Sequence, residues 1–304
     1  MDIVGLGYLG FESQQAKQWL EYGPEVCGFG LNQTRNDDAV YLRMDDRHHR
    51  IAIRPGDTER LSYIGWEMKD RPAYEAGVAK LRSCGLDVSI GDASLEAERG
   101  VLAVAQFTDP AGFQHELFYG QQFHPGSFVP GRPMAGFVAE ELGIGHIVLV
   151  VPRPMPELET FCEDVLGFKW FGHGARKGLG CFYRSKLNPR SHNIAYLTIP
   201  GHVGIHHIGI EVKALDDLGI AYDLTQEREI PLFMTMGRHT QDPVISFYTY
   251  TPTNSMIEYM WGGALVEDGT FLEKAPERVS VWGHKTVVST LPATVHAVEP
   301  KEGA

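Results

Sequence analysis

Four stretches of the chain have the period-two pattern of β-strands: Leu6–Phe11, Ser62–Met68, Ile144–Leu149 and His206–Val212. Each is followed, after roughly ten residues, by a stretch with helical spacing of apolar positions. In residues 155–166, Met155, Leu158, Phe161, Cys162, Val165 and Leu166 fall at intervals of three and four, which predicts one buried helix face. Gly167 supplies the stop. The pattern therefore predicts four strand–helix–strand units.

These units pair into a duplication. The second ends in Asp109-Pro110-Ala111-Gly112 leading to Glu116, and the fourth in Thr251-Pro252-Thr253-Asn254 leading to Glu258. Tyr8 to Tyr63 spans 55 residues and Tyr63 to Glu116 spans 53; His146 to His207 spans 61 and His207 to Glu258 spans 51. Between the copies, Pro125-Gly126, Pro130-Gly131 and Pro133 mark a turn-rich connector. A boundary near residue 135 follows, giving an N-terminal domain of residues 1–134 and a C-terminal domain of residues 135–304.

Composition narrows the class. With 304 residues, 43% of them apolar, the chain is long enough for one large domain or two of ordinary size, each with its own core. Its formal charge of -12, without a run of Lys or Arg, argues against nucleic acid and anionic membranes as partners. Cys27, Cys84, Cys162 and Cys181 are widely spaced and are expected to be reduced thiols. Neither a signal-like N-terminus nor a spanning apolar run is present, so a cytoplasmic location is expected.

The chemistry resides in the second copy. Gly237-Arg238-His239-Thr240-Gln241-Asp242-Pro243-Val244-Ile245-Ser246-Phe247-Tyr248 precedes the turn to Glu258, and His146 and His206-His207 lie upstream. Two histidines and one carboxylate are the set that holds ferrous iron while leaving positions open. Alternation puts His207 with Gly209 and Glu211 on the polar side, and His206 with Ile208, Ile210 and Val212 on an apolar row expected under the helices. Glu258, between Ile257 and Tyr259, needs a compensating partner if buried. In the first copy, Tyr8 and Tyr63 stand where His146 and His207 stand in the second, so no metal is expected there and the tyrosines should fill the space.

This string, with the Leu142-Gly143-Ile144-Gly145-His146 run, resembles the signature of the type I extradiol ring-cleavage dioxygenases of the vicinal oxygen chelate superfamily. The resemblance covers nearly the whole chain to about residue 262. It implies an α+β fold of two domains, each built from two βαβββ modules in a half-open barrel. It implies Fe(II), with Mn(II) as an alternative, held by His146, His207 and Glu258. It further implies an oligomeric enzyme that inserts both atoms of O2 into a catechol, yielding a 2-hydroxy-6-oxo-dienoate in aromatic degradation.

By the same resemblance His192 is the acid–base histidine, His239 contacts the hydroxyl side of the substrate, and Tyr248 hydrogen-bonds a catechol oxygen. Relatives often carry a His-His pair where this chain has Ser191-His192, a change expected to alter local packing only. Asp242 reads as an orienter of a histidine or as a turn residue before Pro243. Gln241 stands where asparagine is usual and helps hold Asp242, and Asn254 where glycine or proline is usual; asparagine tolerates the left-handed backbone that such a turn needs.

Tyr41–Asp45, His48-His49-Arg50 and Phe128–Pro133 resemble the branch that cleaves bicyclic catechols such as dihydroxybiphenyl. An apolar pocket is expected, with Phe171, Phe182, Ile194, Met234 and Pro243 as candidate walls, each equally suited to the core. A non-oxygenase lyase or isomerase of the same fold, or a non-catalytic aromatic-binding protein, is the competing reading. The role of the tail after residue 264 is not legible.

Overall fold

A computed structural model of the chain describes residues 1–35, 37–173, 180–266 and 278–298. Each predicted start opens a strand: Ile3–Ser13, Arg60–Met68, Gly145–Val151 and His202–Glu211. Within each half these starts pair antiparallel with each other. Each also pairs parallel with the last strand of its own unit, as Ile3–Ser13 does with Ile51–Pro55 and His202–Glu211 with Met256–Trp261. Parallel neighbours need a crossover, and the helices supply it. Among the described residues two open sheets result, one of eight strands from the first half and one of ten from the second.

The helix at residues 155–166 is less regular than its spacing predicts. It runs as an α-helix over Pro156–Thr160 and widens to a π-turn over Phe161–Val165 before Gly167, which is left-handed at φ +72°. The first half does the same: Trp19–Tyr22 is α-helical, Gly23–Cys27 is a π-turn, and Gly28 has φ +82°. The repeat therefore extends to a helical irregularity of a kind seldom found by chance. The two turns before the glutamates also match, with Gly112 at φ +92° and Asn254 at φ +49°.

The connector is tied down by buried polar groups. Arg50, fully buried, pairs with Asp45 at 2.6 Å and donates to the carbonyls of Gly7 and Glu140. Asn188 donates to the carbonyls of Val4 and Leu142. The Asp45–Arg50 segment thus joins the two halves. No helix among the described residues is long and apolar enough to cross a membrane.

Candidate active site

The register of the central strands brings the three candidate ligands together. Gly209 lies opposite His146 on one side and beside Glu258 on the other. A side chain at 209 is excluded, because its Cβ would fall 2.1 Å from the His146 ring. His206 is the extra residue of a β-bulge between the pairs Ile205–Leu149 and His207–Val148. The bulge breaks the alternation, so His206 leaves the apolar row expected for it. Its ring stands edge-on to Phe233, and its Nδ1 lies 2.7 Å from Nδ1 of His207, leaving Nε2 of His207 to face the site.

His146 Nε2, His207 Nε2 and Glu258 Oε2 lie 3.3, 3.0 and 3.4 Å apart, taken as His146–His207, His146–Glu258 and His207–Glu258. All three residues are buried. Donors bound at right angles and about 2.1 Å from a first-row divalent ion lie about 3 Å apart, so these separations suit one small cation held on a single face. Burial pushes the His207 imidazole down to about 4, which leaves it neutral and able to bind metal. Burial works against the charge on Glu258, but hydrogen bonds with His146, His207 and His239 outweigh it and hold the carboxyl well below its usual range.

The other candidates surround this group. The His192 ring packs on His146 at 4.2 Å between centroids, with Phe171 and Phe182 around it. Tyr248 is edge-on to His207, and its hydroxyl lies 2.8 Å from His239 Nε2, which is itself 3.2 Å from Glu258 Oε1. Asp242 accepts a short hydrogen bond from Ser191 Oγ, and that oxygen lies 3.0 Å from His192 Nδ1. Ser191 is therefore more than a packing replacement, since it links Asp242 to His192. Gln241 does not hold Asp242. Its buried Nε2 has no hydrogen-bond partner among the described residues and lies against Gly172. Ile194 is not a pocket wall either; it is fully buried in the main core, whereas Met234 packs with Phe233, Tyr248, Tyr250 and Met256.

The first half carries the same frame without the ligands. Tyr8 lies opposite Gly65, which lies beside Glu116, and a Cβ at 65 would fall 2.3 Å from the Tyr8 ring. The Tyr8 hydroxyl donates to Glu116 at 2.6 Å. The tyrosines do not fill this space alone. Arg99, buried, forks onto both oxygens of Glu116 at 2.9–3.1 Å, and its guanidinium carbon lies 3.6 Å from the centre of the Tyr63 ring. A fixed cation occupies the position that, in the other half, suits a metal. Even His192 has its counterpart: His49 precedes Ile51, which pairs beside Leu9, as His192 precedes Ile194 beside Ile147.

Two residues at the second site were missed by sequence reasoning. Ser246 donates to Glu258 Oε1 at 2.7 Å, and His284, from the tail, packs at a tilt on His239 with 4.2 Å between ring centroids. Ser246 lay inside the signature, two residues before Tyr248, and strand alternation puts both on one face. No comparable signal marked His284.

Fold and site together define an extradiol ring-cleavage dioxygenase, and the chain belongs to that family, whose members open catechol rings with ferrous iron and dioxygen. Residues 6–56 match the family described as dihydroxybiphenyl dioxygenase BphC D1. The chain is 34% identical over 308 residues to a biphenyl-2,3-diol 1,2-dioxygenase of Metapseudomonas furukawaii, covering 99% of this chain and 100% of the relative. It is 33% identical over 302 residues to an iron-dependent extradiol dioxygenase of Rhodococcus jostii strain RHA1, covering 96% and 100%. Among solved structures, that of BphC, a halotolerant catechol dioxygenase, matches with a TM-score of 0.90 and 34% identity over 97% of this chain and 99% of that one.

Proposed function

We propose that the chain cleaves a bicyclic or bulky-substituted catechol of the 2,3-dihydroxybiphenyl type, with His146, His207 and Glu258 as the iron ligands. The observation that carries this reading is the convergence of three buried donors at 3.0–3.4 Å beside the acid–base pair formed by His192 and Tyr248. A relative that matches 99% of the chain is named for biphenyl-2,3-diol, and Phe171 and Phe182 offer aromatic walls beside His192. Residues 1–134 form the unit without metal and residues 135–304 the catalytic one, a division supported by Arg99 on Glu116. A homo-oligomer accords with the exposed apolar residues Val281 and Trp282.

Held by His146, His207 and Glu258, Fe(II) would supply Lewis acidity toward the catechol hydroxyls and redox chemistry toward dioxygen. The chain's own groups then handle protons. Asp242 as an acceptor takes the Ser191 hydrogen, so Ser191 Oγ accepts from Nδ1–H of His192 and leaves Nε2 bare. Burial, reinforced by His146, keeps His192 well below the ordinary histidine range, so it is a neutral acceptor for a catechol proton and returns that proton later. Tyr248 stays protonated, since burial and Glu258 raise its hydroxyl well above 10, and it donates to a catechol oxygen. Burial works against a charge on His239, but Glu258 and the Val279 carbonyl outweigh it and raise the imidazole, so its protonated form donates Nδ1–H to Val279 and Nε2–H toward the Tyr248 oxygen, which leaves the Tyr248 hydrogen for the substrate.

The test is anaerobic loading with Fe(II), then oxygen uptake and yellow-product absorbance across a panel of mono- and bicyclic catechols. The expected result is one iron per chain and the highest kcat/KM on a bicyclic substrate. Iron at one per chain without oxygen uptake on any catechol would overturn the reading.

A further inference from the structure

The C-terminal strand Ser280–Gly283 adds to the edge of the catalytic sheet, pairing antiparallel with Leu232–His239. Gly283 and His284 then take left-handed conformations at φ +70° and +49°. A left-handed histidine is uncommon and needs contacts to hold it. The sequence clears room for it: a Cβ at Gly237 would fall 2.4 Å from the His284 nitrogen and 2.5 Å from its Cγ, and one at Gly283 would fall 2.2 Å from the Met236 carbonyl oxygen.

We propose that His284 is a positioning residue for the metal-binding carboxylate, acting through a one-way chain of hydrogen bonds from Ser280 through His284 and Ser246 to Glu258. The direction is fixed by the acceptors. His284 Nε2 lies 3.1 Å from the Ser246 carbonyl, which only accepts, so the ring hydrogen is on Nε2. Nδ1 is then bare and accepts from Ser280 Oγ at 2.7 Å. Ser246 Oγ, 3.2 Å from His284 Nε2, spends its hydrogen on Glu258 Oε1 at 2.7 Å. Oε1 is the oxygen turned away from His146 and His207, whereas Oε2 faces both. Holding Oε1 sets the rotation of the carboxylate and so the aim of Oε2, as partners of a metal ligand commonly do. The same ring packs on His239 at 4.2 Å and edge-on to Tyr248 at 5.9 Å, which keeps both in place.

The first half has no such chain among its described residues. Val104 occupies the register of Ser246 there, because Gln106 pairs with Glu116 as Tyr248 pairs with Glu258, and Arg99 orients Glu116 instead. The relay is thus found where the carboxylate must hold an exchangeable cation. The tail consequently becomes a structural component of the active site.

The proposal rests on Glu258 being an iron ligand, and its test separates the two claims. Wild type, His284→Ala, His284→Gln and Ser246→Ala are loaded with Fe(II), and iron release to a ferrous chelator is timed with no substrate present. His284→Ala and Ser246→Ala are each expected to release iron about 10–100-fold faster, and the double variant no faster than either. His284→Gln, whose amide N–H still reaches the Ser246 carbonyl, should restore most of the retention. Release from both single variants within about twofold of wild type, against the 10–100-fold usual for such partners, would overturn the relay. A wild type that binds no iron would overturn the ligand assignment instead. Should His284→Ala not fold, Ser246→Ala interrogates the chain from its other end.

Discussion

Ser191 stands between His192 Nδ1 and Asp242, which keeps the ring hydrogen on Nδ1 and leaves Nε2 bare, as the proposed proton acceptor requires. Ser191→Ala should therefore reduce kcat about tenfold while iron per chain stays unchanged, as expected for loss of an orienting partner. Ser191→His should restore the rate, because this chain already contains that arrangement in its first half, where His48 Nδ1 lies 2.8 Å from His49 Nδ1. His192→Ala removes the acceptor itself, and a loss of about 10²–10⁴ in kcat with iron retained is expected from oxygen-uptake kinetics. The two candidate histidines were legible because the duplication sets each against a tyrosine, and Glu258 because an apolar strand does not tolerate an unpaired carboxylate. Ser191 was misjudged because its effect passes through a neighbour's tautomer, which no spacing records.

Among the elements, the shared frame is a glycine beneath a ring. Gly209 lies under His146 as Gly65 lies under Tyr8, and each is sandwiched between the central strand and the strand bearing the glutamate. Gly209→Ala should displace the His146 ring and abolish iron binding, measurable by metal analysis of the purified protein. The strand starts and the unit order followed from periodicity, which depends on local contacts. The bulge at His206 and the π-turns at Gly23–Cys27 and Phe161–Val165 did not, because each inserts one residue whose cost is repaid only by tertiary contacts. Arg99 escaped for a related reason: it sits at the end of the helix Ala93–Arg99, and only the folded chain carries it to Glu116. Arg99→Met should lower stability by about 3–5 kcal/mol, since it strands a buried carboxylate, and a thermal melt would show it.

For the whole molecule, acid sensitivity follows from buried histidines. In the iron-free protein burial brings His48, His207 and His284 to about 4 and His206 to about 3, against 6.5 in the unfolded chain. The unfolded chain therefore takes up protons first, so stability is fully present above about 6.5 and is lost as the pH falls toward 4. The midpoint of thermal unfolding of the iron-free protein should drop across that window, and iron, which needs His207 of these four in its neutral form, should oppose part of the drop.

A guanidinium cannot leave, whereas an iron ion can. Because Arg99 is part of the chain, Glu116 finds its counter-charge as soon as the first half folds, at any supply of iron. Glu258, held meanwhile by His146, His207, His239 and Ser246, takes a metal counter-charge from the medium. Without iron the leading half is complete while the trailing half keeps only its frame, so adding metal to the purified protein should raise the stability of the trailing half alone.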